Sequence, residues 1–149
     1  MGGWSQTALS RRETMDASSH PDHKHTEILL IIDDEPHMTD IFRQYMTKRG
    51  FQVLTAGSGQ EALALPEIVS GSISLVITDM TMPEMTGIEL ARALGEILPD
   101  VPVLIATGHD IRLEELSGVP NIVSIIRKPY QNKMLSERIR EILDSRKSE

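Results

Sequence analysis

The sequence predicts an α/β fold, a doubly wound parallel sheet with helices on both faces. Three observations carry that expectation. Five short runs rich in Ile, Val and Leu recur along the chain, and each is followed by a segment with helical or weakly helical period. The runs are close to continuously aliphatic, as strands buried on both faces must be. Gly50, Gly57, Gly71, Pro99 and Gly118 fall between the runs, and Pro102 stands near the start of the fourth, where a strand tolerates it.

In chain order, the strand-like runs are Ile28 to Ile32, Phe51 to Thr55, Ile73 to Thr78, Val101 to Ala106 and Ile122 to Ile126. The first helix has Met38, Ile41, Phe42, Tyr45 and Met46 at i, i+3, i+4, i+7 and i+8, with Pro36 at its start and Gly50 just past its end. Ser58-Gly59-Gln60-Glu61 opens a second helix with a capping-box pattern, and Pro66 must shorten or bend it. A third helix is expected from about Gly87 to Leu98, ending at Pro99, with Gly95 costing about 1 kcal/mol relative to Ala. The fourth is weak: between Asp110 and Leu116 only Ile111, Leu113 and Leu116 could anchor it. The fifth, about Tyr130 to Ser145, buries Leu135, Ile139, Ile142 and Leu143. Right-handed crossovers then favour a flavodoxin-like five-stranded sheet in the order 2-1-3-4-5.

The chain of 149 residues has room for one domain. Residues 1–26 are polar and show neither strand nor helix period, so they are read as a mobile leader or linker; the domain spans 27–146 and residues 147–149 form a C-terminal tail. His20, His23 and His25 lie in that leader and are read as linker residues rather than a metal site. The absence of cysteine removes disulfides, thiolate metal sites and cysteine nucleophiles. A net charge of -7 and no basic stretch beyond Arg11-Arg12 argue against direct nucleic-acid binding. No apolar run is long enough for membrane insertion, and the expected compartment is the cytoplasm.

In open sheets of this kind ligands bind beyond the carboxyl ends of the strands. There the first run ends in Asp33, Asp34 and Glu35, the third in Asp79, the fourth in Thr107, and the fifth in Lys128 followed by Pro129. Clustered carboxylates repel one another and are costly to desolvate, so a cation should hold them ionised. An all-oxygen ligand set suits magnesium, which takes one or two carboxylates and leaves positions for phosphate oxygens. Lys128 and Thr107 would neutralise and hydrogen-bond the same phosphate. Met80, Met82 and Met85, beside Asp79, are read as loop packing and core filling, and Glu84 as solvent-exposed.

DD at 33–34, DMTMPEMTG at 79–87, Thr107 and KP at 128–129 resemble the receiver domain of bacterial two-component response regulators, over about residues 27–146. The resemblance implies that Asp79 accepts a phosphoryl group from the phosphohistidine of a sensor kinase or phosphotransfer protein. It also implies that Asp33, Asp34 and Asp79 hold magnesium with the backbone carbonyl of Thr81. Pro83 and Gly87 would shape the loop after Asp79, and a cis bond before Pro129 would aim Lys128 into the site. The family couples phosphorylation to movement at Thr107 and at an aromatic three residues before the lysine. That position is Ile125 here, a departure from the usual switch.

The resemblance implies a signalling phosphoacceptor rather than an enzyme, acting on an unknown downstream protein through the face of the fourth helix, fifth strand and fifth helix. With the sequence ending at Glu149, the expectation is a stand-alone regulator or the receiver module of a hybrid histidine kinase. Two alternatives stand beside it. A magnesium-dependent aspartyl-phosphate phosphatase would need an acid two residues after the nucleophile, where Thr81 stands. A pseudo-receiver that binds partners without phosphorylation would not need the intact acidic set.

Overall fold

The computed structural model of the chain describes residues 26–147, so the expected leader, with His20, His23 and His25, lies outside the described residues apart from Thr26. Five strands, β1 (Ile28–Ile32), β2 (Gln52–Ala56), β3 (Leu75–Asp79), β4 (Val103–Thr107) and β5 (Ile122–Arg127), form one sheet in the order β2-β1-β3-β4-β5. Every pairing is parallel. The helices are α1 (Pro36–Thr47), α2 (Gly59–Leu63), α3 (Pro66–Ser70), α4 (Gly87–Ile97) and α5 (Asn132–Lys147). Among the described residues no helix is long and apolar enough to cross a membrane.

The aliphatic runs divide between two cores because successive side chains on a strand point to opposite faces. Leu29, Ile31, Leu75, Ile77, Leu104 and Ile126 meet Phe42 and Met46 of α1 and Leu135, Ile139 and Leu143 of α5. Leu30, Ile32, Val76, Val103 and Ile105 meet α2, α3 and α4 through Ala62, Ile68, Ile88, Leu90, Ala91 and Leu94. Each fully buried aliphatic side chain is worth about 1.5–3 kcal/mol of transfer free energy, so the strands that serve both faces are the best anchored part of the molecule.

Local departures from the expectation have physical causes. Pro66 does more than bend the second helix: it starts a new one at its first position, leaving two five-residue helices. Ser58 accepts from the Glu61 amide, but the Glu61 carboxylate reaches back to Gly57 rather than to Ser58, so the capping box is displaced by one residue. The apolar stripe of α1 is narrower than its sequence suggests. Thr39, Phe42 and Met46 are buried, whereas Met38 and Ile41 remain 49% and 43% exposed.

The weak fourth helix is a 3-10 turn over Leu113–Leu116, as expected of a segment with few anchors and a Gly118 at φ +79° just beyond. Gly95 has a packing reason. The buried Asn121 side chain lies against it, 3.5 Å from where a Cβ would stand, and donates to the Ala91 carbonyl of α4 at 2.8 Å. The last helix begins at Asn132 rather than Tyr130, whose ring is packed against the α1 and α5 core.

Candidate functional site

The strand ends carry the polar groups to one edge. Asp33 follows β1, and its amide continues the ladder to the Ala56 carbonyl at 3.1 Å. Its Oδ1 accepts from the Glu35 amide at 3.0 Å, which turns the chain into α1. Asp34 beside it is exposed, and Asp79 closes β3. One carboxylate oxygen from each of Asp33, Asp34 and Asp79 lies within 4.8 Å of the others. The Lys128 amide donates to the Thr107 carbonyl at 2.8 Å, and the Lys128–Pro129 peptide bond is cis. From there Nζ reaches Asp79 Oδ1 at 2.9 Å and Asp33 Oδ2 at 3.9 Å.

Burial sets the electrostatics of this group. Asp33 is only 8% exposed, and desolvation pushes its pKa up, against the pull of the Glu35 amide and Lys128 and with the repulsion of Asp79 and Asp34. For Lys128, burial pulls the pKa down, but the hydrogen bond and charge of Asp79 and the charge of Asp33 outweigh it and leave it raised. Burial also pushes the Tyr130 phenol up, countered in part by Lys128. Three carboxylates against one ammonium leave two negative charges unbalanced, the electrostatic complement of a hard divalent cation.

The loop after Asp79 is held by its backbone. The Met80 amide donates to Ala106 and the Gly87 amide to the Met80 carbonyl, both at 2.8 Å. A Cβ on Gly87 would stand 2.7 Å from the Asp79 carbonyl oxygen, so the close approach of α4 to the site requires glycine. Pro83 contributes a carbonyl that accepts from Met85 at 2.8 Å, and Glu84 between them is exposed with φ +73°. Met82 is buried, and Met80 and Met85 pack against the same core, in keeping with core filling. Thr81 stands exposed in this loop, two residues beyond Asp79.

Thr107 is buried, but its hydroxyl is turned to its own loop. It donates to the His109 carbonyl at 2.9 Å and accepts from the His109 amide at 3.2 Å. The structure thus brings Asp33, Asp34, Asp79 and Lys128 together and sets the Thr107 hydroxyl on His109, a partner the sequence reading missed. Ile125 lies half-buried on β5, opposite Ile105. The Thr86-Glu89 capping box that starts α4 was also missed, although the Thr-x-x-Glu spacing signals it.

Residues 29–140 match the family model described as response regulator receiver domain. The chain is 30% identical over 117 residues to the transcriptional regulatory protein GlrR of Escherichia coli (strain K12), a match covering 78% of this chain and 26% of that protein. It therefore spans about a quarter of that relative. Among solved structures it is similar to a response regulator receiver domain protein from Clostridium thermocellum, with TM-score 0.72 and 32% identity, covering 81% of this chain and 97% of the other. It is also similar to the response regulator TrrA of Thermotoga maritima in complex with Mg(2+)-BeF, with TM-score 0.69 and 26% identity, covering 79% and 100%. Sequence match and sheet order agree, and the chain belongs to the response regulator receiver domain family, the signalling modules of two-component systems.

Proposed function

We propose that this receiver is a phosphoacceptor in which Asp79 takes a phosphoryl group from the phosphohistidine of a sensor histidine kinase or phosphotransfer protein. The observation that carries the reading is Lys128 Nζ at 2.9 Å from Asp79 Oδ1, within a cluster that also holds Asp33 and Asp34. An Asp79 oxygen forms the new bond to phosphorus as the phosphorus–nitrogen bond of the donor breaks, and the imidazole leaves with the electron pair. Such transfers depend on alignment and on stabilising charge at the equatorial oxygens. Lys128 holds Asp79 oriented and lies where it can neutralise one of those oxygens.

The all-oxygen set fits magnesium, with Asp33, Asp34, Asp79 and the Thr81 carbonyl as its holders. When bound, the ion offsets carboxylate repulsion and draws charge from the phosphoryl oxygens. That TrrA, 26% identical to this chain, forms a complex with Mg(2+)-BeF supports magnesium as the ion taken here. Thr107 supplies a hydroxyl donor once it leaves His109. Thr81 in place of an acid two residues after Asp79 gives no general acid for rapid turnover, which favours a signalling module over a phosphatase. The receiver unit is proposed to span 27–146, to work in the cytoplasm where ATP charges its donor, and to pass its state on by protein contact rather than by binding nucleic acid.

The test is intact-mass measurement after incubation with magnesium and acetyl phosphate. The wild type is expected to gain one phosphoryl group, and Asp79→Asn to gain none while melting as a folded domain. Labelling of Asp79→Asn to the same extent would overturn the assignment, and many turnovers on an unrelated phosphomonoester would replace it with the phosphatase reading.

A further inference from the structure

Arg127 ends β5 immediately before Lys128, on a strand with one sheet neighbour. Its guanidinium reaches back over the loop that follows Thr107. One terminal nitrogen donates to the Asp110 carboxylate and the other to the Gly108 carbonyl at 3.4 Å. That same loop is closed from inside by the Thr107 hydroxyl, which donates to the His109 carbonyl and accepts from the His109 amide.

A hydroxyl has one hydrogen. While the Thr107 hydrogen is on the His109 carbonyl, it cannot be donated to a phosphoryl group on Asp79. Releasing it frees residues 108 and 109 from their inner anchor, and any movement of the loop toward the site must then stretch its outer anchor on Arg127. We propose that Arg127 is a positioning residue that restrains the reaction: through Gly108 and Asp110 it holds the loop, and with it the Thr107 hydroxyl, in the orientation of the unphosphorylated state. This rests on the phosphoacceptor reading above. A phosphoryl group binds the released state better, so it must overcome whatever free energy the Arg127 contacts add to the resting one.

The size of the restraint follows from its exposure. The Arg127 and Asp110 side chains are 55% and 92% exposed, and pairs of that kind change an equilibrium constant by up to about fivefold and weaken with salt.

The experiment is calorimetric titration of the full chain with beryllofluoride at saturating magnesium. Arg127→Gln and Asp110→Asn are each expected to tighten binding about two- to fivefold, and the double variant no more than Arg127→Gln alone, since Asp110→Asn removes one of the two contacts that Arg127→Gln already removes. Arg127→Lys keeps the charge and should stay closer to the wild type. In a Thr107→Ala background the gain from Arg127→Gln should vanish, a result a merely structural role would not produce. Unchanged or weaker binding by Arg127→Gln, or a gain that persists without the Thr107 hydroxyl, overturns the restraint. A wild type that binds beryllofluoride while Arg127→Gln binds it equally sinks this inference alone. A wild type that binds none removes the phosphoacceptor reading, and the restraint falls with it.

Discussion

Asp33 and Asp79 stand at the ends of β1 and β3, strands with a neighbour on each side and packed core on both faces. Lys128 ends the edge strand β5, and Thr107 leads into a segment whose regular structure is a single 3-10 turn. The burial of the strands differs accordingly: after Ile28 every residue of β1 is buried, whereas Ile126 alone is buried along β5. The acids, and the backbone of Thr107 at the end of the fully buried β4, are thus placed by the best anchored part of the molecule, and Lys128 and the loop that takes up the Thr107 hydroxyl by a less anchored one. A receiver needs that asymmetry, because the acceptor must stay aligned while something beside it changes arrangement.

Glycine offers the same substitution in both regions. In Gly87→Ala the new Cβ would meet backbone, 2.7 Å from the Asp79 carbonyl oxygen and 3.2 Å from Met80 Cα. Neither neighbour can give by rotating a side chain, so a cost of about 1–3 kcal/mol and a displaced Asp79 are expected. Gly118 has open space around its Cβ position but φ +79°, so Gly118→Ala is expected to cost about 1 kcal/mol of backbone strain and leave phosphorylation of Asp79 intact. Thermal denaturation and acetyl phosphate labelling of the two variants check this. A larger loss of labelling in Gly118→Ala than in Gly87→Ala would reverse the comparison.

The anchored half was also the half legible in the sequence. Continuous aliphatic runs ending in acids mark β1 and β3 without knowledge of any contact, and the alternation of elements with right-handed crossovers narrows the sheet to a few orders, of which the expected 2-1-3-4-5 is the one found. In the other half the decisive contacts join distant residues. Gly95 reads as a flaw in a helix until Asn121 is seen packed against it. No local pattern shows that Arg127 reaches Gly108 and Asp110, whereas the hold of the Thr107 hydroxyl on His109, two residues on, is a local turn contact that a threonine can make or forgo. Met38 and Ile41 match a helical stripe yet stay exposed, because periodicity gives a stripe's direction and not how much of it the sheet covers.

A smaller effect is expected at Asp33, where pH tests the acid half directly. Its folded pKa is raised by burial above the ordinary 3.8, so the folded state holds this proton more tightly than the unfolded chain. The stability it contributes is fully present below 3.8 and lost as pH rises through the raised folded value. Above that, the ionised carboxylate is a standing cost. Without metal at neutral pH, Asp33→Asn should therefore melt higher than the wild type, since an Asn oxygen can still accept from the Glu35 amide. The difference should close on acidification below the ordinary value. Magnesium should raise the melting temperature of the wild type more than that of the variant. If Asp33→Asn melts lower without metal, the ion pair with Lys128 outweighs burial, and the acid half is held by charge more than the comparison allows.

The smallest expected response is at Ile125, where the family's aromatic is replaced. A ring can occupy two positions with different packing, whereas isoleucine is β-branched and restricted at χ1, so it offers a weaker two-state element. Its surroundings add to this. Arg138 of α5 donates from one guanidinium nitrogen to the Ile125 carbonyl at 3.2 Å and to Ser124 Oγ at 2.7 Å, which ties the outer side of β5 to the helix behind it. A ligand moves an equilibrium only by its differential interaction with the two states, and nothing at Ile125 provides a large difference. The response to phosphorylation should concentrate between Thr107 and Leu116, where a hydroxyl has another partner to take and the chain is held by a single turn. Amide chemical shifts with and without beryllofluoride are the suitable measurement, because they report on exposed and hydrogen-bonded amides alike. Shift changes larger over Ile122–Arg127 than over Thr107–Leu116 would show that β5 switches despite its isoleucine, and that the soft half of the site extends into the sheet.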